Sequence, residues 1–127
     1  MTEGRKALLI RVLWSAGFLV GTTTHTIDLI LGGVEVYSAF PLPVRLFWVS
    51  LTLFDPLVVV LLWTKPRAAV VIGLIVMVLD VSVNAAVFVL SGSLSPFGIA
   101  SQILFGCFVA ATAPILWRRL KRIHQDY

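Results

Sequence analysis

The chain has 127 residues, of which 59% are apolar and 13% charged, with a net charge of +4. Soluble domains run about 45–50% apolar and about 25% charged, so a mean hydropathy of +1.01 excludes an ordinary water-soluble enzyme. The length allows one domain and no separate soluble module. Basic residues Arg5, Lys6, Lys65, Arg67, Arg118, Arg119, Lys121 and Arg122 lie at the ends of apolar stretches. That placement sets topology in a membrane and is not a nucleic-acid footprint. The single cysteine, Cys107, sits in an apolar run as a small filler, so neither an internal disulfide nor a CxxC pair exists.

A spanning helix needs about 20 mostly apolar residues. Four stretches qualify, and the fold class predicted is an all-α, four-helix integral membrane bundle. The spans run from about Ala7 to Leu31, Val44 to Trp63, Ala68 to Leu90 and Phe97 to Trp117. The first has a basic start but is broken by Ser15, Gly17 and "GTTTHT", and no small-x-small cleavage site follows, so it is expected to be a span and not a signal peptide. Gly32-Gly33 reads as its stop. The connections "GGVEVYSAFPLP", "TKPR" and "SGSLS" are short. Basic residues gather at the N-terminus, at 64–67 and in the tail "RRLKR", while the other side has only Arg45. Both termini are therefore expected in the cytoplasm. Trp14, Trp48, Trp63 and Trp117 lie near span ends, where an interfacial belt is the plain reading, Trp48 excepted. The tail "RRLKRIHQDY" reads as a solvated end whose basic part meets anionic lipid.

Three of the six acids, Asp28, Asp55 and Asp80, fall inside spans. A carboxylate at mid-bilayer costs roughly 2.5–3.5 kcal/mol on insertion scales. Such acids must point inward, share protons, or meet water or ligand. His25 precedes Asp28 by one turn, among Thr22, Thr23, Thr24 and Thr26. On the second span Thr52 and Trp48 share a face with Asp55, and Pro56 removes the hydrogen bond to the Thr52 carbonyl, so a kink is expected there. Asn84 shares the face of Asp80. On the fourth span a stripe runs from Gln102 through Gly106 and Ala110 to Pro114. The four polar stripes are expected to converge on one cavity. Two roles stay open for His25, a chemical one or a hydrogen bond to Asp28 or a backbone carbonyl. Asn84 and Gln102 either hold ligand or join helices. One histidine, with no cysteine partner near the acids, does not make a metal site, and no cofactor is implied.

These residues come in an order that resembles the EXPERA-domain family, which includes the sigma-2 receptor and the emopamil-binding sterol isomerase. An acid late in the first span is followed by a loop rich in Pro and aromatics. Then come "FW" at 47–48, "DPL" at 55–57, "DVSVN" at 80–84 and "AATAPILW" before a basic tail. The resemblance covers roughly residues 14 to 122. It implies a ligand cavity opening sideways to lipid, with Asp28 and Asp55 as paired carboxylates that meet an amine or a sterol hydroxyl. Asp80 stands where the family has a glutamate, and Asn84 where it has an amide. The chain is shorter, its loops are clipped, and His25 is displaced from the family's first-span histidine. With no lysine-rich retrieval tail, a prokaryotic plasma membrane and an endomembrane both fit.

Two functions of different class follow. Neighbouring carboxyls in low dielectric share a proton and titrate as a unit. As an enzyme, one acid protonates an alkene or epoxide while another takes a proton back. Phe47, Trp48 and Phe54 would then face the carbocation. Asp28, Asp55 and Asp80 would carry isomerisation or cyclisation of an isoprenoid or sterol-like lipid, with His25, Trp48, Thr52, Phe54, Asn84 and Gln102 lining the ligand. The alternative is a non-catalytic sterol-, lipid- or amine-binding protein of sigma-2 receptor type, as a homodimer. A third reading is a subunit whose acids pair with basic residues of another membrane protein.

Overall fold

The computed structural model describes residues 2 to 125, with side chains through Arg119. Four helices follow in order: α1 (Glu3–Gly32), α2 (Leu42–Thr64), α3 (Pro66–Ser91) and α4 (Pro96–Gln125), with a short 3-10 turn at Gly33–Glu35. All four are long and apolar enough to cross a membrane. Each extends beyond the apolar stretch that marks it, because the helical backbone continues into its polar flanks. The extension is largest in α4, which continues past Trp117 into the basic tail. Asp126, Tyr127 and the tail side chains beyond Arg119 lie outside the described residues.

The ends follow local chemistry. Thr2 caps α1 by accepting the Arg5 N–H at 3.3 Å. Gly33 stops α1 at φ +59°, a conformation open to glycine, and its N–H reaches the Leu29 carbonyl. Pro66 opens α3 immediately after α2, since proline suits the first turn and pushes Lys65 out of the helical region. Gly92, left-handed at φ +63°, ends α3. Ser95 accepts the Gly98 N–H at the start of α4. No break occurs at Pro56, which α2 carries inside a continuous helix.

The helices form a ring in which α1 packs on α2, α2 on α3, α3 on α4, and α4 back on α1. Each contributes one buried stripe at helical spacing. On α1 it is Ala7, Ile10, Trp14 and Phe18; on α2 Trp48, Leu51, Asp55, Val58 and Leu62; on α3 Ala69, Val70, Gly73, Val76, Met77 and Asp80. On α4 the buried face is Val109, Thr112, Ala113 and Leu116, reached from half-buried Gln102 and Phe105. The expected stripe through Ala110 and Pro114 is corrected, because both are exposed and lie one residue off that face. Cys107 is exposed as well and fills no gap in the core.

Trp14 is the centre of the packing and not a belt residue, with no exposed surface. Its indole N–H donates to Thr112 Oγ1 on α4 at 2.8 Å, and its ring lies against Gly73 on α3, where a β-carbon would be 2.9 Å away. Trp48 is also buried. Trp63 and Trp117 do sit at the surface, at 47% and 39% exposure, with the Arg11 and Arg67 guanidinium groups over their rings. Arg11 also donates from Nε, at 3.0 Å, to the Leu62 carbonyl. That carbonyl is one of the last four of α2 and has no partner within its own helix.

Candidate functional site

Midway along the bundle, three helices share one polar cluster. Trp48 on α2 donates its indole N–H to Asn84 Oδ1 at 2.7 Å. The Asn84 amide, on α3, donates to Asp80 Oδ1 at 3.1 Å and to Gln102 Oε1 on α4 at 2.8 Å. Gln102 donates in turn to Asp80 Oδ2 at 2.6 Å. Both oxygens of the Asp80 carboxyl thus take amide hydrogens, and the Asn84 and Gln102 acceptor oxygens are used too. A buried polar group is expensive unless bonded, and here the sharing of donors satisfies four residues at once.

Asp55 borders this cluster from α2. It is 4% exposed and close enough to Asp80 for the two charges to interact. Unlike Asp80, it receives no hydrogen bond from any described residue. α1 admits it through a missing side chain: a β-carbon on Gly21 would lie 2.5 Å from Asp55 Oδ2. One turn earlier on α2, the Thr52 hydroxyl is buried with no partner, and the Thr52 carbonyl has no N–H to accept because residue 56 is proline. Two unused oxygens of Thr52 and one unbonded carboxyl therefore lie on adjacent turns of a single helix.

Asp28 is not part of this group. It is seven residues beyond Gly21 on α1, which at 1.5 Å per residue is about 10 Å along the axis. It is exposed and accepts the Tyr37 hydroxyl at 3.0 Å. His25 Nδ1 lies 3.4 Å from the same hydroxyl. The expected pairing of Asp28 with Asp55 is therefore corrected: the neighbouring carboxyls are Asp55 and Asp80, and Asp28 pairs with a phenol in the α1–α2 connection. Burial, then the hydrogen bond to Asp28, then the Asp28 charge, push the Tyr37 phenol above its ordinary value. It stays a donor throughout the physiological range. Three of the threonines of "GTTTHT" turn their hydroxyls to their own helix and not to the cluster. Thr22, Thr23 and Thr24 bond back to the Phe18, Leu19 and Gly21 carbonyls of their own helix.

The aromatic wall differs from expectation in the same way. Phe54 is 44% exposed and faces outward, because it is adjacent to Asp55 and a helix turns 100° per residue. Trp48 is flanked edge-on by Tyr37 at 5.0 Å and Phe40 at 4.8 Å. Phe47 is half-buried against the core. Tyr37, Phe40 and Gly21 were not singled out from sequence. The aromatic content of the loop was the only signal for the first two, and the close approach that Gly21 permits has no local signature. Trp48 links the two polar regions, since its ring touches Tyr37 while its N–H enters the Asn84–Asp80–Gln102 cluster.

A cavity of about 370 Å³ opens beside Tyr37 and the end of α1, lined by Leu29, Val36, Tyr37, Arg45, Leu46 and Val49 among others. None of the three span acids lines it. Among the described residues, no group of three or more His, Cys, Asp or Glu side chains is placed to hold a metal. Compared with known proteins, the chain matches no family model, no curated protein and no solved structure.

Proposed function

We propose that this protein is a membrane-embedded acid–base enzyme, an isomerase or cyclase acting on an isoprenoid or sterol-like lipid. The observation that carries the reading is the unequal pair Asp55 and Asp80. One carboxyl is held by two amide donors and the other, beside it, by none. Carboxyls in different environments are how one site runs acid and base steps together. Asp55 is the proton donor to an alkene or epoxide, and Asp80, oriented by Asn84 and Gln102, takes the proton back. Thr52 supplies the unused hydroxyl toward a polar substrate group, and Trp48 the aromatic face toward developing positive charge. The resemblance to EXPERA-domain proteins belongs to this proposal, as does a topology with both termini in the cytoplasm.

The test is mass analysis of isoprenoid and sterol-type lipids incubated with purified protein in detergent. Conversion is expected with the wild type and is lost in Asp55→Asn and Asp80→Asn. A second reading, a non-catalytic binder of lipid or amine acting as a homodimer, is favoured by the two amide donors on Asp80, which tie that carboxyl to α3 and α4 as a structural joint. It predicts unchanged lipid retained equally by wild type and Asp55→Asn. If alanine at both positions alters neither conversion nor retention, the acids are structural and both readings fall.

A further inference from the structure

We infer that the cavity between the end of α1 and the start of α2 binds the head of an anionic membrane phospholipid, with Arg45 as its counter-charge. Arg45 is half-buried and lines the cavity. Among the described residues no carboxylate forms an ion pair with it, and Glu35, on the neighbouring 3-10 turn, is exposed. A guanidinium offers a planar fork of N–H donors suited to a phosphate.

The remaining walls choose the ligand. Leu42, Arg45, Leu46 and Val49 recur at helical spacing on one face of α2, and Leu29, Val34 and Val36 close the other side. Leu42 and Leu46 are each 61% exposed, so the apolar floor runs out onto the lateral surface of the bundle. A ligand therefore enters from the hydrocarbon side and lays a chain along α2 with its head at Arg45. The volume of 370 Å³ falls at the small end of ligand pockets, about 300–1,000 Å³. That accommodates a head group with the first part of one chain and leaves the rest in the bilayer. The Tyr37 hydroxyl donates to Asp28, and Tyr37 itself lines the wall of the cavity. An arginine that merely extended to water would need no cavity and no such floor.

The experiment is native mass spectrometry of the detergent-purified protein offered equal amounts of phosphatidylglycerol and phosphatidylcholine. One phosphatidylglycerol is expected to be retained in preference. Loss of a charge-assisted contact should weaken that retention roughly tenfold or more in Arg45→Gln, while Arg45→Lys keeps part of it. Val49→Trp leaves the charge in place but fills the cavity, and should also lose the lipid, which keeps the inference testable if Arg45→Gln fails to fold. A Lys65→Gln/Arg67→Gln variant, altered at the opposite end of the bundle, should retain it. The inference is overturned if Arg45→Gln and Val49→Trp retain phosphatidylglycerol as the wild type does. It is equally overturned if phosphatidylcholine is held as well, or if palmitate displaces the phospholipid. None of these outcomes depends on whether Asp55 and Asp80 catalyse a reaction.

Discussion

The bundle contains two polar regions built from similar residues and held in opposite ways. The inner one joins Asp80, Asn84, Gln102 and Trp48 from three helices, with Asp55 alongside. The outer one joins His25 and Asp28 from one helix to Tyr37 in the connection that follows. The inner acids are nearly inaccessible, at 4% and 7% exposure, whereas Asp28 is exposed. An acid near the end of its helix is satisfied by one partner from the adjoining connection, as Asp28 is by Tyr37. An acid among apolar helices needs donors brought from other helices, so it makes the bundle's assembly depend on its own satisfaction. The inner region is therefore expected to be tied to folding and chemistry together, and the outer one to neither so strongly.

That contrast can be measured. Asp80→Ala should have the largest effect, since it strands the Asn84 and Gln102 amides at a cost of about 1–3 kcal/mol each. A large drop in thermal stability in detergent, together with loss of conversion, is the expected result. Asp28→Ala, by the same measurement, should cost about 0.5–1.5 kcal/mol, the ordinary worth of one hydrogen bond. Equal losses in the two variants would abolish the distinction between the regions.

Gly21→Ala comes next. The new methyl meets Asp55 Oδ2 at 2.5 Å, and displacement of a reacting group by about 1 Å costs up to about 10²-fold in rate. Conversion should fall far more than stability does. Tyr37 gives a smaller, pH-dependent signature. Its pKa in the fold is raised above the unfolded value, so its stabilising contribution is complete below about pH 10, where an unfolded phenol ionises. The contribution is lost as pH rises through the folded value. The stability gap between wild type and Tyr37→Phe should stay constant from neutral pH to about pH 10 and narrow above it. Tyrosinate absorbance at about pH 11 should be the same in both proteins. Phe54→Ala should change least, within about 0.5 kcal/mol and with conversion intact, because its ring faces outward.

The residues that misled share a cause. Chemical type and nearness in sequence point to Phe54 and Asp28, but a site is assembled by helical phase and by height along the axis. Phe54 fails on phase, one residue from Asp55. Asp28 fails on height, two turns beyond Gly21. Trp48, Asn84 and Gln102, placed by their spacing of four or by being isolated polar groups in an apolar run, do meet around Asp80. Trp14 lies near a span end, as Trp63 and Trp117 do, and its position alone points to an interfacial belt. Its burial depends on Gly73 and Thr112, which lie on other helices.

From the amino-acid order alone came the four apolar helices, the stop at Gly32-Gly33, and the demand that the span acids Asp28, Asp55 and Asp80 face inward or meet a partner. Each of these follows from hydrophobicity, backbone geometry or desolvation acting within one segment. Which carboxyl neighbours which, where the cavity opens, and that Tyr37 closes the outer region were settled only when the helices packed. Those outcomes depend on the rotation and axial offset of one helix against another. Both are set by the summed fit of side chains across all four, and no single segment encodes either.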